Sequence, residues 1–105
     1  SLRLRDEAGA ETYFQRSFQV DPRNPVAMYQ LAEISLKRRD FERARFYSQR
    51  LLQSYDPSAE ALWQGLRIER AAGNRDAEAS YGAQLRRRFP QSRETSLLLS
   101  GQYGQ

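Results

Sequence analysis

Ordinary catalytic chemistry has little to work with in this chain. It contains no histidine and no cysteine, which removes the commonest general base and zinc ligand, together with thiol nucleophiles, thiolate metal sites and disulfides. Two carboxylate pairs stand out, Asp40 with Glu42 and Asp76 with Glu78. Acid–base work needs two carboxyls in one cleft with their pKa values driven apart. Both pairs instead fall in the first turn of expected helices, where acids cap the backbone and oppose the positive end of the helix dipole. Arg86, Arg87 and Arg88, with Arg93 nearby, form the densest basic run. Successive helical residues point about 100° apart, so these arginines make no single phosphate-reading stripe, and cations at a helix C-terminus have a structural reason to be there. Gly65 and Gly82 lie inside expected helices, where each costs about 1 kcal/mol relative to alanine. Neither sits in a strand-to-helix loop that would cradle phosphate; both are expected where two helices approach closely. On these residues the chain is not an enzyme and calls for no metal and no cofactor.

Composition sets the next bounds. The 105 residues are 39% apolar and 29% charged, with a net charge of +4, so the chain can bury a modest core and is not disordered by composition. Its basic excess is carried by arginine, Lys37 being the only lysine. That balance invites a nucleic-acid or anionic-membrane reading, but no interleaving of aromatic and basic residues builds a single-strand platform. No apolar run approaches the ~20 residues that span a bilayer. No secretory signal is visible either, and because the chain opens in mid-pattern, a signal or an anchor would lie outside it.

The elements that must position any site come from an internal repeat. Pro22, Pro57 and Pro90 end similar segments and are spaced by 35 and 33 residues, close to the ~34-residue period of helix-pair arrays. Asn24 and Pro25 cap and open a helix whose Met28, Leu31, Ala32 and Ser35 share one face. Lys37, Arg38 and Arg39 close it, and Asp40 caps a second helix with Phe41, Ala44, Tyr47, Ser48, Leu51, Leu52 and Tyr55 on its buried side. The plan repeats: Asp56, Pro57 and Ser58 start a helix carrying Leu62, Gly65, Leu66 and Ala72; Gly73 ends it; Asn74 caps a partner with Ala77, Tyr81, Leu85 and Phe89. Ser92 starts a short last helix. The reading is therefore one domain over 1–105. Residues 5–22 form the second helix of a truncated repeat, 24–57 and 58–90 two whole repeats, 92–100 a capping helix, and 101–105 a frayed tail. A second helix without its first would expose an apolar face, so the chain is expected to be a fragment or to take that partner from another molecule.

These residues resemble the tetratricopeptide-repeat family. Met28, Leu31 and Ala32 match its first-helix pattern, and Ala10, Phe14, Ser17 and Pro22 its second. Ser48 and Leu51 depart from that pattern, as do Gly65-Leu66, Glu78 and Gly82. The resemblance implies an all-α solenoid of about six helices in antiparallel pairs. A sharper resemblance covers about residues 24–95. Leu62-Trp63-Gln64-Gly65-Leu66, Gly73-Asn74-Arg75-Asp76, Tyr81-Gly82 and Gln84 to Pro90, with Arg39-Asp40-Phe41 and Ala44-Arg45, are similar to the C-terminal repeats of the PilF/PilW-type family of type IV pilus biogenesis and stability proteins. That resemblance implies a pilotin. Its members are lipoproteins on the periplasmic face of the outer membrane, which help the secretin channel to localise and assemble. It implies a protein partner, a secretin subunit or another pilus-assembly component; no nucleic acid; and a membrane link only through a lipid anchor outside this chain. A tetratricopeptide adaptor of another complex remains a second reading, and a basic nucleic-acid-binding helical repeat a third.

In such arrays the first helix of each pair lines the concave surface. In this register Tyr29, Glu33 and Lys37 face it from one repeat, with Val26 and Leu36 beside them, and Trp63, Arg67 and Arg70 face it from the next, with Glu60 and Ala71. Tyrosine, tryptophan and arginine dominate binding hot spots, so Tyr29, Glu33, Lys37, Trp63, Arg67 and Arg70 are the expected protein-binding residues. The competing reading is that Tyr29 and Trp63 pack between adjacent repeats.

Overall fold

In the computed structural model, which describes residues 2–104, four helices begin at a side-chain cap. The order is α1 (Leu2–Val20), α2 (Pro25–Lys37), α3 (Phe41–Ser54), α4 (Ala59–Ala72), α5 (Arg75–Arg88) and α6 (Arg93–Leu99), with no strand among the described residues. The side chain of Asn24 accepts from the Ala27 N–H at 3.1 Å, with Pro25 at the first helical position. Asp40, Ser58 and Ser92 cap α3, α4 and α6 in the same way, accepting from Arg43, Ala61 and Thr95. Each such cap is worth about 1 kcal/mol.

Gly73 ends α4 in the left-handed conformation (φ 83°), where the Asn74 N–H reaches back to the Glu69 carbonyl at 2.8 Å. That closure needs a positive φ, which glycine adopts without steric cost. At the corresponding turn after α2, Arg39 adopts φ 60° while the Asp40 N–H bonds the Ser35 carbonyl at 2.9 Å. Only Lys37 of the three basic residues read into the last turn is helical. Arg38 is the C-cap and Arg39 lies beyond it.

Packing follows the repeat. The antiparallel pairs α2–α3 and α4–α5 are joined through α1 against α2, α3 against α4, and α2 against α4. The predicted α2 face of Met28, Leu31, Ala32 and Ser35 is buried throughout. One core cluster joins Leu31 and Ala32 to Ala44, Tyr47 and Ile68; a second joins Leu62, Trp63, Leu66 and Leu85. Burying one such aliphatic side chain contributes roughly 1.5–3 kcal/mol. Phe18 meets the ring of Tyr47 edge-on, with centroids 5.4 Å apart, tying α1 to α3. Thr95, 2% exposed, donates to the Phe89 carbonyl at 2.7 Å and fastens α6 to the end of α5.

Three expectations change. Tyr55 is not on the buried face of α3: the helix ends at Ser54, and Tyr55 is extended and 40% exposed. Its hydroxyl donates to the Arg23 carbonyl at 2.5 Å while the Arg23 guanidinium lies over its ring. This contact links the turns that precede α2 and α4. Asn74 precedes α5 without capping it, because its side chain donates to the buried Glu69 instead. Finally, the tail does not simply fray, since Tyr103 folds back against α4. Gln105 lies outside the described residues.

Candidate functional site

Stacked first helices bring equivalent positions of adjacent repeats side by side. Glu33 of α2 and Arg67 of α4, 34 residues apart, form a direct ion pair in which an Arg67 Nη donates to Glu33 Oε1. Gln64, fully buried, stands one turn before Arg67. Its amide donates to the same Glu33 oxygen at 3.0 Å and to the Tyr29 backbone carbonyl at 2.9 Å. A helix carbonyl already engaged along its own helix thus takes a second donor, and Glu33 takes two. Charge-assisted bonds of this kind are stronger than neutral ones. The seam between α2 and α4 is consequently polar, although Gln64 Oε1 and Arg67 Nε within it have no hydrogen-bond partner among the described residues.

Tyr29 sits beside this seam, half-buried. Burial pushes its phenol pKa above the ordinary 10.0; the Glu33 carboxylate pushes the same way and Arg67 opposes both. Towards the start of the helices, Tyr29, Val26 and Glu60 join Tyr55 and Pro57 around an open cleft of about 420 Å³. Val26 is 59% exposed there. The cleft is lined mainly by apolar surface, to which Asp56 and Glu60 add two exposed carboxylates.

Two turns along α4, Trp63 and Arg70 form a separate group. Trp63 is only 5% exposed. One face of its indole stacks with the Tyr103 ring, centroids 5.8 Å apart and planes inclined by 20°. The Arg70 guanidinium carbon lies 3.8 Å from the centroid of that ring, and Arg70 Nη1 donates to Glu78 Oε2 at 2.9 Å. Lys37 joins neither group. It is exposed, and its Nζ lies 3.6 Å from Glu7 on α1.

Of the six residues singled out by sequence, then, Tyr29, Glu33 and Arg67 converge, Trp63 and Arg70 share a second contact, and Lys37 turns towards α1. Sequence reasoning missed Gln64, Glu78 and Tyr103. Gln64 had one available signal, a polar side chain set among Leu62, Trp63, Gly65 and Leu66. Tyr103 had none, since no periodicity extends beyond α6.

The described residues contain no group of three His, Cys, Asp or Glu able to hold a metal ion, and no helix among them is long and apolar enough to cross a membrane. The arrangement offers hydrogen bonds, apolar surface and charge to another chain.

Comparison with known proteins agrees with this architecture. The tetratricopeptide repeat family matches residues 2–67. The type IV pilus assembly protein PilF of Pseudomonas aeruginosa is 33% identical over 94 residues, a match covering 90% of this chain and 37% of that protein. The solved structure of P. aeruginosa PilF superposes with a TM-score of 0.79 at 31% identity, covering 96% of this chain and 46% of that one. The crystal structure of PilW, a widely conserved type IV pilus biogenesis factor, superposes with a TM-score of 0.83 at 30% identity, covering 92% and 44%. The chain spans less than half the length of these relatives.

Proposed function

The chain belongs to the tetratricopeptide-repeat family and is homologous to the type IV pilus biogenesis proteins PilF and PilW, and from this we infer that it is a protein-binding scaffold of pilotin type. It acts at the periplasmic face of the outer membrane, assisting the secretin to localise and assemble. The partner is a segment of a secretin subunit or of another pilus-assembly component, held along the face formed by α2 and α4.

The observation that carries this reading is the cleft beside Tyr29. It joins apolar surface to the carboxylates of Asp56 and Glu60, and Tyr29, which lines it, is tied to α4 by the Gln64 amide on its backbone carbonyl. A groove preorganised in this way holds a partner segment without first ordering itself, which lowers the cost of binding. Its carboxylates favour a segment in which an apolar side chain is followed by a basic one, since opposite charges across an interface steer association and fix register.

The test is genetic and biochemical together. Deleting the intact gene in its piliated host should convert the heat-resistant secretin multimer to monomer on a gel, and restoring the intact gene should bring the multimer back. A multimer unaffected by the deletion would sink the pilotin reading and leave a repeat scaffold with a different partner.

A further inference from the structure

Tyr103 occupies a place on α4 that its own helix does not supply. Helix α6 ends at Leu99, Gly101 turns the chain with φ 72°, and the non-helical run to Gly104 lays the Tyr103 ring against α4. Two α4 residues receive it at i and i+7, on one face of the helix. Trp63 supplies an aromatic surface inclined by only 20° to the ring. Arg70 supplies a cation 3.8 Å from the ring centroid. The guanidinium is held by Glu78 Oε2 at 2.9 Å from the neighbouring helix, so its position does not depend on the ring. Leu97 and Leu98 complete the apolar surroundings.

We propose that Trp63 and Arg70 form a ring-receiving slot in the partner-binding face, filled in this chain by Tyr103, and that an extended partner segment enters it with a tyrosine or tryptophan side chain by displacing Tyr103. The proposal rests on the scaffold reading and adds the chemistry of one anchor residue. Its occupant is set by what is seated there: an aromatic ring on a short non-helical run between Gly101 and Gly104, with Gln102 its neighbour. An offset stack favours an aromatic over an aliphatic side chain, and a cation over the ring favours the more electron-rich rings. The contact between Tyr103 and α4 is intramolecular. A tether this short is equivalent to a millimolar ligand, so a partner segment with further contacts along α2 and α4 overcomes it.

Trp63 is the sole tryptophan of the 105-residue chain, and its emission reports the slot directly. In Tyr103→Ala, helix content should be retained, and the emission should move to the red as the indole meets water. Titration with the peptide acetyl-Gly-Gln-Tyr-Gly-amide should reverse that shift saturably. The same peptide with leucine in place of tyrosine should bind about tenfold more weakly. An unshifted emission in Tyr103→Ala, a shift that the tyrosine peptide does not reverse, or equal reversal by the leucine peptide would each overturn the proposal. If Tyr103→Ala loses helix content, Arg70→Gln with Tyr103 in place decides. Raised quenching of Trp63 by acrylamide at unchanged helicity supports the slot, and unchanged quenching overturns it. These readouts use no secretin, so the slot and the pilotin reading fail or survive separately.

Discussion

A Cβ atom added at Gly65 would stand 3.0 Å from Cε2 of Tyr81, tighter than nine in ten real contacts of that kind. The Tyr81 ring of α5 therefore lies directly on the α4 backbone, and glycine at 65 sets the spacing of that helix pair. Gly82 is different, because the same atom there would meet Leu66 and Leu98 methyls at 3.6 Å, an ordinary contact. The close-approach explanation thus holds for Gly65, while Gly82 has room for a methyl group.

Alanine scanning of the two glycines should separate them. Gly82→Ala gains helix propensity and should stabilise by about 0.5–1 kcal/mol. Gly65→Ala must displace the Tyr81 ring and should fall about 1–2 kcal/mol below it. Gly82→Leu should destabilise, since its extra atoms reach Leu66 and Leu98. Thermal melts of the three variants check the order, and equal melting temperatures for the two alanine variants would contradict it.

Glu69 is 2% exposed and accepts from Arg45 Nε at 3.0 Å and Asn74 Nδ2 at 2.8 Å. Arg45→Ala removes its one cation and leaves a buried carboxylate with a neutral partner. Half-exposed as Arg45 is, the loss should be about 1–3 kcal/mol. Glu69→Gln alone should cost less than Arg45→Ala, because an uncharged amide tolerates that site. Urea unfolding of both variants provides the comparison.

Two phenols make stability depend on alkaline pH. Burial raises the pKa of Tyr29 and of Tyr81 above 10.0, helped by the carboxylates of Glu33 and Glu69 respectively. A phenol with a raised folded pKa keeps its proton longer in the folded state. Its contribution is therefore intact below the ordinary pKa and is lost as pH rises through the folded one. The melting temperature should hold up to about pH 9.5 and decline above it. Tyr29→Phe with Tyr81→Phe should flatten that decline, and an identical decline in the double variant would assign it elsewhere.

Arg39 holds φ 60° just beyond α2, a conformation that costs an L-residue about 1–2 kcal/mol. Arg39→Gly relieves that strain and gives up only the exposed guanidinium over the Phe41 ring, together with some unfolded-state entropy. A net gain of about 0.5 kcal/mol is expected, read as a higher urea midpoint at unchanged slope.

The helices were legible because their punctuation is local. Asn24, Asp40, Ser58, Gly73 and Ser92 act within three or four residues of themselves, and the Met28–Ser35 face follows helical spacing. The Glu33–Arg67 pair was half legible, since one repeat length separates two positions on the same line of the array. What escaped depends on longer-range competition. Asn74 looks like a cap until the buried Glu69 claims its amide. Lys37, read as facing the concave surface, also lies 3.6 Å from Glu7 of α1. Tyr103 reaches Trp63 only through the reversal at Gly101, beyond the last periodic residue.

The central claim is that a pilus-assembly partner binds the face formed by α2 and α4, and the cleft beside Tyr29 tests it most directly. Val26 and Glu60 line that cleft and are exposed, so Val26→Asp with Glu60→Lys should leave folding and abundance intact. In the host lacking the gene, the intact protein carrying both substitutions should fail to restore the heat-resistant secretin multimer that the unsubstituted protein restores. Full restoration by the doubly substituted protein at normal abundance would contradict the account.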